Sequence, residues 1–241
     1  MAIEFQNVVA GYSPTLTILN QLSFTANDGE ITLLIGPNGA GKSTALKTLF
    51  GLLVPRSGAV KMDGKDINGT PPRAMLDLGV AFVPQGRNLF GSLSVLHNLE
   101  LGGITLPRKL IHERIPEVLE RFPRLRERLH NQASTLSGGE QKQLEIGRAL
   151  LLRPRLLLID EPSIGLSPLI SREVFRLLRE LADGGTTVLM VEQNVRSALK
   201  FANRALVLEM GHLALDRPAS ELLNDPNLNR LFLGGSTRRT A

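Results

Sequence analysis

The chain has 241 residues, enough for one large domain or for a core with a smaller lobe. It contains no cysteine, which excludes disulfides, zinc–thiolate sites and thiol nucleophiles, and no apolar run approaches the roughly 18 residues that cross a membrane. A net charge of +5 admits an anionic partner, but the absence of tryptophan and an aromatic content of 4% argue against a surface that stacks single-stranded nucleic acid.

The start, MAIEFQNVVAGY, has no basic residues ahead of an apolar block, so no signal peptide is expected. Ile3–Phe5, Leu22–Phe24 and Ile31–Ile35 read as strands, with Asp28-Gly29 as a turn. The last of these is almost wholly apolar, as a buried central strand should be. It runs directly into Gly36-Pro37-Asn38-Gly39-Ala40-Gly41-Lys42-Ser43-Thr44, and Leu46, Leu49, Phe50 and Leu53 then repeat at helical spacing over Ser43–Leu53. Strand, glycine loop and helix are the context in which GxxxxGK[ST] binds nucleotide phosphates. Gly36, Gly39 and Gly41 let several backbone N–H groups converge on the β-phosphate, at the positive end of the following helix. Lys42 is expected at the β- and γ-phosphates, Ser43 on Mg²⁺ and Thr44 on an α- or β-phosphate oxygen.

Gly58–Val60 and Gly64 suggest a hairpin, and Val80–Val83 another buried strand. Residues 86–153 change character: Ile111, Ile115, Val118, Leu119 and Phe122 share one helical face, closed by Pro123. This stretch reads as a helical lobe inserted in an α/β core. Its segment 108–130 holds seven basic and four acidic side chains, which read most simply as a solvated helical face. Leu156–Ile159 returns to the sheet and ends in Asp160-Glu161. Side chains alternate along a strand, so the two acids are expected to face different tasks: Asp160 holding Mg²⁺ and Glu161 polarising the attacking water as general base. Arg172–Leu181 is predicted helical, Thr186–Val191 a strand, Ala205–Leu208 a last strand and Ser220–Leu233 a helix, with residues 236–241 a disordered tail.

With these residues in place the chain resembles the ABC ATPases over nearly its whole length. Leu136-Ser137-Gly138-Gly139-Glu140-Gln141 resembles that family's signature loop, which completes the phosphate site of a second subunit. Ser137 and the N–H groups of Gly138 and Gly139 would grip a γ-phosphate from a helix N-terminus. The resemblance implies a P-loop NTPase (RecA-like) α/β core with an antiparallel β subdomain and an inserted helical lobe. It makes residues 1–235 a single ATPase domain, with 1–85 and 154–235 as core and 86–153 as lobe. It also implies that Gln85 contacts Mg²⁺ or the attacking water. Tyr12, the only tyrosine, would stack on adenine; a plain surface tyrosine is the alternative.

Two positions depart from the family pattern. Gln193 stands where a histidine is usual, and glutamine can hydrogen-bond a γ-phosphate without carrying charge or a proton. Ser167 stands where an aspartate is common. Val191–Asn194, Gly165–Pro168, Gln85–Phe90 and Leu93–Val95 are similar to the ATPase subunits of high-affinity branched-chain amino acid importers, or of urea and amide importers. The resemblance then implies ATP and Mg²⁺ as ligands and a second ATPase subunit, identical or different, closing over two ATP. It also implies transmembrane permeases docked near Gln85–Val95, a substrate-binding protein beyond them, and a peripheral place on the cytoplasmic face of the membrane. No nucleic acid is expected. The rival readings are an exporter's ATPase subunit, a soluble ABC ATPase acting on nucleic acid or ribosomes, and a regulatory subunit that binds ATP without cleaving it.

Overall fold

The computed structural model describes residues 1–86 and 88–225. Among the described residues, ten strands form two sheets: β1 (Ile3–Ala10), β2 (Leu19–Ala26), β3 (Ile31–Ile35), β4 (Ser57–Met62), β5 (Lys65–Asp66), β6 (Val80–Val83), β7 (Leu156–Asp160), β8 (Thr187–Val191), β9 (Arg204–Glu209) and β10 (His212–Pro218). The larger sheet has the order β10-β9-β3-β8-β7-β6 and is parallel from β9 to β6, with β10 antiparallel at its edge. The smaller sheet, β2-β1-β4-β5, is wholly antiparallel.

Every residue of β3, β7 and β8 is buried, which explains why their text is apolar but for Thr32, Asp160 and Thr187. The strand period divides the core in two. Leu33, Leu157 and Met190 face one side, against the helical elements. Leu34, Leu158 and Val191 face the other, against the antiparallel sheet and α1 (Lys42–Leu49). The remaining helices are α2 (Pro72–Asp77), α3 (Val95–Gly102), α4 (Arg108–Arg121), α5 (Pro123–Glu127), α6 (Gly138–Leu150), α7 (Pro168–Asp183), α8 (Val195–Leu199) and α9 (Ala219–Leu223). Helices α3 to α6 fill the segment between β6 and β7 as the sequence suggests, and Ile111, Ile115, Val118, Leu119 and Phe122 are buried there.

Some expectations change. The helix after the glycine loop stops at Leu49, not Leu53, because Gly51 turns to φ +78° and the N–H groups of Leu52 and Leu53 both return to the Lys47 carbonyl. Ala205–Leu208 lies in β9 but is not the last strand: Met210 and Gly211, at φ +49° and +81°, turn the chain into β10. That edge strand alternates weakly and ends in Pro218, which hides it in the sequence. Helix α7 starts four residues earlier than expected, with Ser167 as N-cap accepting from Ile170 N–H (3.4 Å) and Pro168 in the first turn. Short helices α2 and α8 were not predicted. Helix α9 begins near the expected position but ends at Leu223, with Asn224 as its C-cap, instead of running on; residues 226–233 of the expected helix and the tail 236–241 lie outside the described residues.

Candidate functional site

The loop after β3 is held open by backbone that only glycine suits. Gly36 lies at φ +146°, and a Cβ there would sit 2.1 Å from the Leu208 carbonyl oxygen. Gly41, at φ +103°, is the N-cap of α1 and offers no side-chain cap; the first turn of α1 carries no acid. The orphan N–H groups of that turn are therefore left for an anionic ligand. Lys42 is buried, and its Nζ donates to the carbonyls of Gly36 (2.9 Å) and Pro37 (3.0 Å). Burial holds its pKa below the ordinary lysine value, against Glu161 and Asp160, which favour its charge. Tyr12 lies over the same loop. Its hydroxyl is 3.4 Å from Thr44 Oγ1 and accepts from Lys47 Nζ (3.2 Å), whose ammonium stands 5.2 Å from the ring centroid.

Asp160 ends β7 with 1% of its surface exposed, and its Oδ1 has no hydrogen-bond partner. Burial raises its pKa; a Ser43 hydrogen bond opposes this, Glu161 adds to it, and Lys47 and Lys42 oppose it. Glu161 does not simply alternate with Asp160. It sits past the strand at φ +50°, with its N–H on the Val191 carbonyl (2.9 Å). That left-handed turn carries its carboxylate between two amides. Gln85 Nε2 donates to Oε2 at 2.6 Å and Gln193 Nε2 to Oε1 at 2.7 Å. Gln85, expected on the metal or the attacking water, is thus bound to Glu161 through its amide nitrogen.

Tyr12, Asn38, Gly39, Lys42, Ser43, Thr44, Gln85, Glu161 and Gln193 line one cavity of about 380 Å³; Asp160 and Lys47 are not in its wall. Leu136–Gln141 do not reach it. Ser137 caps α6, with reciprocal bonds between Ser137 Oγ and Glu140 N–H (3.3 Å) and between Ser137 N–H and Glu140 Oε2 (2.8 Å). The Gln141 amide turns back to the carbonyls of Ala133 (3.3 Å) and Leu136 (3.2 Å). Gly138 has open space where a Cβ would stand. It lines a different cavity, of about 270 Å³, with Gln141 and Ile164–Leu166.

One residue of the site escaped the sequence reading. Glu192, 2% exposed, accepts from the backbone N–H of Ser163 (2.7 Å) on Oε1 and from those of Gln193 and Asn194 (2.9 Å each) on Oε2. A single carboxylate therefore ties the loop after β7 to the loop after β8. Its only signal is an acid directly after an apolar strand, as at Asp160.

The family model described as "ABC transporter" matches residues 19–164. The chain is 43% identical to the high-affinity branched-chain amino acid transport ATP-binding protein BraG of Pseudomonas aeruginosa, over 94% of this chain and 97% of that one. It is 34% identical to the lipopolysaccharide export system ATP-binding protein LptB of Escherichia coli, over 92% of each. Among solved structures, the ADP conformation of MJ1267, an ATP-binding cassette of an ABC transporter, superposes with a TM-score of 0.87 at 28% identity, covering 97% of this chain and 99% of that one.

Proposed function

The chain belongs to the ABC transporter family and is an ATP-binding, ATP-hydrolysing subunit; on that premise we propose that it drives an importer of branched-chain amino acids through ATP-dependent closure of a dimer. The 43% identity to BraG along nearly the full length of both chains supports the import reading and the substrate class. A second reading, an exporter's subunit, draws on the 34% identity to LptB. We take the importer because the higher identity lies there.

The observation that carries the mechanism is the split of the machinery. The loop lysine, Asp160, Glu161 and both glutamines gather at one end of the large sheet, whereas Ser137–Gly139 present a helix N-terminus away from that cavity. Each ATP is then completed by Ser137–Gly139 of a second subunit. Asp160 and Ser43 suit Mg²⁺: a buried, unpartnered carboxylate oxygen beside a hydroxyl is the donor set a hard cation takes. Held by these residues, Mg²⁺ would supply positive charge against the phosphates. Lys42 exchanges its loop carbonyls for phosphate oxygens. Glu161 exchanges its glutamine partners for the attacking water and accepts its proton; Gln193 donates to the γ-phosphate and Gln85 positions the water or the ion. Tyr12 turns its ring from Lys47 to adenine. The subunit seats against transmembrane permeases, on the membrane's cytoplasmic face, near Gln85–Val95. Among the described residues no helix is long and apolar enough to cross a membrane.

The test is uptake of labelled leucine into vesicles in which this chain is reconstituted with branched-chain amino acid permeases and a substrate-binding protein. ATP-dependent uptake that stops with Glu161→Gln is expected. ATP hydrolysis that no branched-chain amino acid stimulates would contradict the substrate class.

A further inference from the structure

Pro84 and Gln85 follow β6 at the end of the large sheet, and Asn88, near the start of the helical lobe, is fastened in both directions. Its backbone N–H donates to Glu145 Oε1 at 2.8 Å and its carbonyl accepts from Arg148 Nη1 at 2.6 Å. Its side-chain amide donates to the carbonyls of Pro84 (3.1 Å) and Gln85 (3.3 Å). Glu145 and Arg148 are three residues apart on α6, hence on one face. The other oxygen of Glu145 binds Lys142 Nζ at 2.6 Å, and both side chains are buried. A buried ion pair contributes little net stability over an apolar pair; its best-attested use is to fix one arrangement over its alternatives. Arg148 is held in turn by the Phe90 ring, 5.4 Å from its guanidinium carbon.

We infer that Asn88 is a positioning residue that couples Gln85 to α6, so that the amide reading the nucleotide and the helix presenting Ser137–Gly139 move together. The inference rests on the roles proposed above for Gln85 and for the α6 N-terminus. Asn88 is not catalytic, since it touches neither Glu161 nor the glycine loop. Its amide holds the carbonyl of Gln85 itself, and its own backbone is held at both polar groups by α6. When nucleotide draws Gln85 away from Glu161, the strain passes through Asn88 to Glu145 and Arg148 and reorients α6 against the sheet. The buried Lys142–Glu145 pair keeps the anchor from yielding by a change of rotamer. A contiguous physical link is one route by which two elements move together, and Asn88 supplies such a link between Gln85 and α6.

The chain has no cysteine, so Glu120→Cys on α4 and Glu180→Cys on α7, both exposed, give two clean positions for spin labels. The distance between them reports the helical lobe against the sheet. In a Glu161→Gln background it should change on adding ATP with Mg²⁺. Asn88→Ala removes only an exposed amide, and Lys142→Met combined with Glu145→Leu removes both buried ions together, so neither variant leaves a buried charge unpaired. In both the ATP-dependent distance change should be lost, while ATP affinity by calorimetry is retained. An unchanged distance response in Asn88→Ala overturns the inference, as does loss of ATP binding together with the response in both variants. Failure of the parent protein to bind ATP at all would instead overturn the functional reading, and the inference with it.

Discussion

Glu161 accepts two short hydrogen bonds from neutral amides, one per oxygen, and neither partner can take up its proton. Both carboxylate oxygens are thereby aimed by neighbouring amides. Glu161→Gln should keep ATP binding and slow hydrolysis by about 10²-fold or more, the usual range for losing a general base, in a steady-state phosphate-release assay. Gln193→Ala removes one amide and leaves Glu161; hydrolysis should fall far less than with Glu161→Gln in the same assay. Equal losses would mean that Gln193, rather than Glu161, governs the chemical step. Asp160 gives a stability test with a definite sign. Its folded pKa is raised by burial, so the folded free chain binds that proton more tightly than the unfolded one, and stability falls as pH climbs from about 4 through the raised value. Asp160→Asn should therefore melt at higher temperature than the parent near neutral pH without nucleotide, by roughly 2–4 °C per kcal/mol relieved. The gap should close as pH drops to about 4, and the variant should lose the added stabilisation that Mg²⁺ gives with ATP.

At the scale of elements, the loops at the ends of β3, β7 and β8 do the positioning. Gly36 and Gly39 both have positive φ, but only Gly36 meets an obstacle. Gly39→Ala should cost about 1–2 kcal/mol from left-handed backbone alone, whereas Gly36→Ala must also displace β9 and should fail to fold; chemical denaturation separates the two. Glu192→Gln exchanges a buried acceptor of three backbone N–H groups for an amide that presents a donor to at least one of them. We expect a loss of about 1–3 kcal/mol in unfolding free energy, together with slower hydrolysis, because the loops bearing Glu161 and Gln193 lose their common anchor. The glycine loop, β7 and its terminal acids were legible because each is a continuous run in which local backbone chemistry and function coincide. Glu192, the Asn88 anchor and the Lys47–Tyr12 contact were not, because each joins residues tens of positions apart or depends on which way a side chain turns after a strand ends. The pair Lys142–Glu145 reads in sequence as an ordinary exposed helix pair; only packing of α6 against the lobe buries it.

For the molecule as a whole, the α/β class, the inserted helical segment and the family were all readable, since strand–loop–helix context and the Leu136–Gln141 motif are local texts. What the sequence left open is the hairpin that closes the large sheet at β10, and the way Ser137 spends its hydroxyl on Glu140 within its own chain. On the proposed mechanism, half of each ATP site is supplied in trans. The most direct measurement is specific ATPase activity against protein concentration for the parent and for Ser137→Ala mixed with Lys42→Ala. Activity should rise with concentration in the parent. Mixing the two inactive variants should restore one intact site per mixed dimer, and with it part of the activity, as completion in trans requires. Specific activity that is constant on dilution, with no recovery on mixing, would contradict it.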